Sequence, residues 1–148
     1  MYPIVLGVHN LVRWLVLAAG LWVVMRTWRG WMSRATWTDA DSMAIRLFVN
    51  ALSLQFALGV VLYAVSPLVR QGLANMGAAM RDPAVRYFVV EHATVMLIAV
   101  ALAHIGAGRV RKAGSDSAKF QTAAIWFAVV LAGIAAFVPW GRPMVPSF

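Results

Sequence analysis

The chain has 148 residues, 62% of them hydrophobic and only 12% charged, with no cysteine and a net charge of +8. Soluble domains run at about 45–50% apolar and about 25% charged residues, so a chain this small could not hide its apolar surface in a water-soluble fold, and lipid is its natural solvent. The missing cysteines exclude disulfides, thiolate metal sites, c-type haem attachment and cysteine nucleophiles. The positive charge flanks apolar segments instead of forming a stripe, which points to lipid headgroups and not to nucleic acid.

A helix needs about 20 residues to cross the hydrocarbon core, and four segments qualify. The first runs from Pro3 to Met25. The start, Met1-Tyr2-Pro3-Ile4, has no basic n-region and no small-residue cleavage site, so it reads as mature protein and not as a signal peptide. His9 and Arg13 are four residues apart and share a face. At 1.5 Å per residue they lie about 9 and about 15 Å in. A helix starting near Leu11 would bring both to the surface and make Arg13 a snorkelling anchor, but residues 14–25 alone are too short to span. Ala18, Ala19 and Gly20 would allow close helix contact.

The second segment runs from Met43 to Ser66, with Asp41 and Ser42 as candidate caps and Pro67 after its end. It carries Asn50, Ser53, Gln55 and Tyr63. Gln55, Gly59 and Tyr63 follow at four-residue spacing. Such a stripe either lines a cofactor or quinone pocket or supplies interhelical hydrogen bonds, and for Gln55 the hydrogen bond is the favoured reading. Between residues 67 and 81, Val69, Leu73, Met76 and Met80 recur at helical spacing with Arg70, Gln71, Asn75 and Arg81 between them. The pattern predicts a short amphipathic helix on the membrane surface, with an ordered loop as the alternative.

The third segment, Pro83 to Ile105, opens on Asp82 at the N-cap and Pro83 at the first helical position, and Gly106 and Gly108 are expected to close it. His92 lies about 13 Å in from the side on which His9 also lies. Two histidines on different helices at similar depth match the geometry of a bis-histidine b-type haem in a bundle. The face of His92 also bears Phe88 and Met96, which could wall a porphyrin, and Ala99 and Ala103, which would leave room for it. Arg13 would pair with a haem propionate or with Glu91. Arg86 points about 120° away from His92. His104 lies about 18 Å further along, and the chain has only three histidines. At most one bis-histidine haem is therefore expected, with His104 at a surface, an interface or a partner contact.

Other chemistries have less support. Copper held by Met76, Met80, His9 and His92 is conceivable, but methionines at helical spacing ordinarily pack as apolar residues. No Walker loop, nucleophile elbow, zinc-protease motif or paired carboxylate offers hydrolytic or transferase chemistry. A proton or ion conduit would need a relay from Glu91 and His92 to His104, and no polar group clearly links them.

The fourth segment, Thr122 to Trp140, is almost free of polar residues and reads as structural, with Ala128, Ala132 and Ala136 beside Gly133 as a small-residue contact stripe. Four spans with short connections predict an all-α, antiparallel membrane bundle forming one domain over residues 1–148. The side away from the termini carries Arg26, Arg29, Arg34, Arg46, Arg109, Arg111, Lys112 and Lys119, against Arg70, Arg81 and Arg142 on the other, with Arg13 and Arg86 within helices there. That excess makes the far side cytoplasmic and both termini periplasmic.

These residues resemble a family of small bacterial four-helix membrane proteins labelled cytochrome-b-like. The resemblance rests on His9 with Arg13-Trp14, on Gln55 with Leu58-Gly59 and Leu62-Tyr63, and on Arg86 with Glu91-His92. It continues in His104-Ile105-Gly106 before the basic loop and in Pro139-Trp140. It implies haem b with His9 and His92 as axial ligands, in the bacterial inner membrane. The chain departs from two-haem cytochromes in lacking a fourth histidine. Two functions follow. One is an electron-transfer subunit relaying electrons between a quinol and another redox protein. The other is a structural or accessory subunit of a larger respiratory or photosynthetic complex, with Arg13 and Glu91 as an internal ion pair. Neither makes the chain a stand-alone enzyme.

Overall fold

Four long helices carry the architecture, and the structure, a computed structural model, describes residues 1–141. Arg142, counted above among the charges of the termini side, lies outside the described residues. The long helices are α1 (Tyr2–Met32), α2 (Asp39–Val65), α5 (Pro83–Lys112) and α6 (Asp116–Ala136). Each is long and apolar enough to cross a membrane. Exposed Leu11, Leu15, Leu54, Leu97, Ile98 and Val129 coat the outside of the bundle, as lipid requires of a multi-pass membrane protein.

All four helices differ from the expected limits. With 31 residues, α1 is about 46 Å long and overshoots the bilayer core. It starts at Tyr2, so Arg13 lies well inside the helix and is buried at 6% exposure, which overturns its reading as a surface anchor. Its C-terminus closes through Arg34, held at φ 52°, with the Ala35 amide reaching back to the Gly30 carbonyl at 3.0 Å. The cap of α2 is Thr38, not Asp41 or Ser42. Asp41 is instead the third helical residue, and its carboxylate accepts from the Thr38 amide at 2.8 Å in a capping box.

Gly106 and Gly108 do not end α5, which runs on to Lys112. A glycine inside a helix costs about 1 kcal/mol relative to alanine, and Gly106 has a packing reason to be there: a Cβ would lie 3.0 Å from that of Trp126 on α6. One turn of α5, Tyr87–Glu91, is wound as a π-helix. On α6 the buried face is Phe120, Ala123, Phe127, Val130 and Ile134, not the small-residue stripe: Ala132 and Ala136 are exposed, and a Cβ on Gly133 would meet nothing within 4 Å. Aromatic rings bury more apolar area than alanines do, and they take the core-facing positions.

α1 packs on α2 and α6, and α5 packs on α6 and more thinly on α2. This places α1 diagonally across the bundle from α5. The region of residues 67–81 is helical, as α3 (Pro67–Ala74) and α4 (Met76–Ala79), broken at Asn75. Of the expected apolar face only Val69 is buried; Leu73, Met76 and Met80 stay exposed. Gly72 allows α3 to lie close on α5, since a Cβ there would come within 2.7 Å of Val89.

The core fills the end of the bundle away from the termini. Thr27 is fully buried there and donates to the Val23 carbonyl at 2.7 Å. Phe48 meets Phe127 edge-on, with ring centres 5.8 Å apart. Phe120 packs on Trp37 at 4.7 Å and occupies the space left by the missing side chain of Gly30. Arg26 joins the Asp41 carboxylate at 2.6 Å across the α1–α2 turn.

Candidate functional site

The end of the bundle that holds the start of α1 contains a cavity of about 710 Å³. This lies within the range of about 300–1,000 Å³ usual for small-molecule and cofactor sites. It exists because α1 and α5 face one another without packing and because α2 meets α5 only thinly. Its lining brings together His9, Arg13, Phe88, His92 and Met96, all five residues singled out as cofactor contacts, with Gln55 and Tyr63 from α2. Ala99 and Ala103 do not line it. They are buried in the packed core further along α5.

His92 is oriented by the backbone. Its Nδ1 donates to the Phe137 carbonyl at 2.8 Å, just past the end of α6, and the Tyr87 hydroxyl donates to the same oxygen at 2.6 Å. A carbonyl only accepts, so Nδ1 carries a proton, and in the neutral imidazole Nε2 is then the nitrogen with the lone pair. The Tyr87 ring lies 5.8 Å from the His92 ring, and Phe88 lies 6.2 Å away on the preceding turn. These residues sit at the π-helical turn, where the His92 amide reaches back five residues to the Tyr87 carbonyl. Within the widened turn the Val89 carbonyl accepts the Tyr63 hydroxyl of α2 at 2.8 Å. Single π-turns inside α-helices recur at functional sites.

His9 stands on the opposite wall. Gln55 donates to its backbone carbonyl at 3.0 Å, the interhelical bond favoured for that residue. Among the described residues two buried side-chain polar atoms are left without a hydrogen-bond partner, His9 Nδ1 and Gln55 Oε1. Such orphans cost about 1–3 kcal/mol each and call for a functional reason. Arg13 bonds Asn10 one turn back. The Glu91 carboxylate is engaged by Arg86, Nε to Oε1 at 2.7 Å, so the ion pair of Glu91 is made within α5.

Some expected groups lie elsewhere. Met76 and Met80 are exposed on α4 and its end and do not line the cavity, so the copper reading loses its thioethers. His104 does not line the cavity and meets Ser53 Oγ of α2 at 2.9 Å, an interface role. Among the described residues no group of three or more His, Cys, Asp or Glu side chains could hold a bare metal ion.

The residues missed by sequence reasoning are Tyr87 and Phe137. Tyr87 belongs to no spacing pattern that would single it out from its neighbours. Phe137 acts through its carbonyl, which no side-chain pattern marks. No protein-family model, curated protein or solved structure matches the chain.

Proposed function

We propose that this protein is a b-type haem-binding electron-transfer subunit, with one haem held between His9 and His92. One observation carries the reading: histidines on diagonal helices line opposite walls of a single cavity, and His92 has its Nδ1–H tied to a carbonyl so that Nε2 is left as a base. Metal-ligating histidines almost always donate their other ring N–H in this way.

The chain's residues fit the group. His9 and His92 would hold the iron, and Phe88 and Met96 would flank the porphyrin. The buried Arg13 would neutralise a propionate. Gln55 already reaches the backbone of His9, and a side-chain turn that brought its orphaned Oε1 to the orphaned His9 Nδ1 would satisfy both atoms and leave His9 Nε2 free for the iron. When bound, the haem supplies one-electron redox chemistry. The protein's part is to fix both ligands, exclude water with α3 and compensate charge.

The subunit would work in a bacterial inner membrane with both termini periplasmic, among other subunits of a membrane complex, and would exchange electrons with a quinone or a redox protein. The membership of the cytochrome-b-like family belongs to the same proposal. A second reading, a structural accessory subunit without haem, is favoured by the hydrogen bonds that already occupy Gln55, Tyr63 and Tyr87.

The test is the visible spectrum of the purified protein, oxidised and dithionite-reduced, with a pyridine haemochrome assay. A sharp reduced α-band and one haem per chain are expected. His9→Ala and His92→Ala should each bring haem content to background while helix content persists. A folded protein expressed with ample haem that binds none would overturn the reading in favour of the accessory subunit.

A further inference from the structure

A second cavity, of about 390 Å³, opens at the opposite end of the molecule, where α5 turns into α6. Its rim is Arg109 and Lys112 from the last turn of α5, with Gln121 and Thr122 from the start of α6; its floor is Ile125 and Trp126. Arg109 is held over the Trp126 ring, 5.1 Å from the centroid. No carboxylate lines the cavity. The nearest acidic residue in the turn, Asp116, is within 4.0 Å of Lys119. Two cations, an amide and a hydroxyl therefore converge with no acidic partner in the lining.

The floor shows what kind of anion fits. Ile125 is 48% exposed, and one turn further Val129 is 59% exposed. An apolar track thus runs from the basic rim down the lipid-facing side of α6. A free anion would use the rim and leave the track bare, whereas an amphiphile uses both. The depth also fits, since Ile125 lies about 14 Å beyond Asp116 at 1.5 Å per residue. Basic pockets between transmembrane helices near the membrane surface bind phosphate headgroups.

We infer that this cavity is a binding site for an anionic phospholipid, its phosphate between Arg109 and Lys112 and one acyl chain along Ile125 and Val129. Trp126 buttresses the guanidinium, and Gln121 and Thr122 donate to the headgroup. The site is separate from the histidine cavity and stands whether or not haem binds there.

The experiment is native mass spectrometry of the full chain in detergent, with dioleoyl-phosphatidylglycerol or dioleoyl-phosphatidylcholine added. The anionic lipid should be retained preferentially, and the double substitution Arg109→Gln with Lys112→Gln should weaken that retention about tenfold or more. Arg46→Gln, an exposed cation outside the cavity, should leave it unchanged. Gln121→Glu keeps both cations and the fold while placing a negative charge at the rim, and should weaken retention about 5-fold. Equal retention of the two lipids, an equal loss with Arg46→Gln, no change with Gln121→Glu, or displacement by millimolar inorganic phosphate would each overturn the proposal.

Discussion

At the end of the bundle away from the termini, Phe120 fills the space over Gly30, Thr27 satisfies its hydroxyl within its own helix, and Asp41 is tied to Arg26 and Thr38. At the other end the same four helices stay apart and leave a cavity in which His9 Nδ1 and Gln55 Oε1 have no partner. Between the helices the first end follows the rules of close packing and polar satisfaction, its one described cavity opening on the outer surface at the α5–α6 turn; the second end breaks both. Proteins that violate these rules locally tend to do so where they bind something. The contrast teaches that the hollow end is maintained by the solid one, which lets the two be damaged separately.

The largest expected separation comes from Phe120→Ala. Truncating a fully buried aromatic costs about 3–5 kcal/mol, and Phe120 is 2% exposed against both Trp37 and Gly30. Thermal or denaturant unfolding followed by helical circular dichroism should show that loss, while the haem uptake proposed above should stay normal at low temperature. Loss of haem uptake with an unchanged unfolding midpoint would break the division between the two ends.

Asp41→Asn should come next. Asp41 accepts from Arg26, from the Thr38 amide and from the Thr38 hydroxyl, and an amide presents a donor where an acceptor is needed. Hydrogen bonds to charged groups contribute about 1.5–3 kcal/mol, and Arg26 is about one-third exposed, so about 2 kcal/mol is expected. The same unfolding assay reads it, again without effect on the visible spectrum.

How much of this division was legible in the sequence differs between the ends. The spans themselves were, because an apolar run of sufficient length leaves few alternatives. So was the meeting of His9, Arg13, Phe88, His92 and Met96, because depth along a helix follows from counting residues. The solid end was not, because its contacts depend on which helices are neighbours: nothing local pairs Gly30 with Phe120 or Arg26 with Asp41. The glycines of α5 misled for a related reason, since Gly106 serves helix contact with Trp126 and not chain termination. The π-turn was illegible because a widened backbone turn has no side-chain signature, and with it went the carbonyls of Val89 and Phe137.

Those carbonyls supply a smaller test at the hollow end. Tyr63→Phe removes the donor to the Val89 carbonyl and should cost about 1 kcal/mol. Its more informative readout is the His92 environment, since the π-turn sets the register of His92 on α5. A shift of the reduced α-band or of the midpoint potential at full haem occupancy is expected, and an unaltered spectrum would mean that the turn holds its shape without Tyr63.

His104→Ala should do least. His104 is the third histidine, and its ring meets Ser53 across the α2–α5 contact, outside the cavity lining. A single interhelical hydrogen bond between membrane helices averages about 0.6 kcal/mol, and Ser53 also donates to the Val49 carbonyl at 2.7 Å, so its hydroxyl stays satisfied when the imidazole is gone. Haem content and band positions should match the unsubstituted protein, and the unfolding midpoint should move little. The weight of this small effect lies in its contrast with His9→Ala and His92→Ala: three histidines in one bundle, of which only the two that face the cavity should control the spectrum. Were His104→Ala to lower haem content as they do, the ligand set would have to reach into the solid end, and the boundary between the two ends would have to be redrawn.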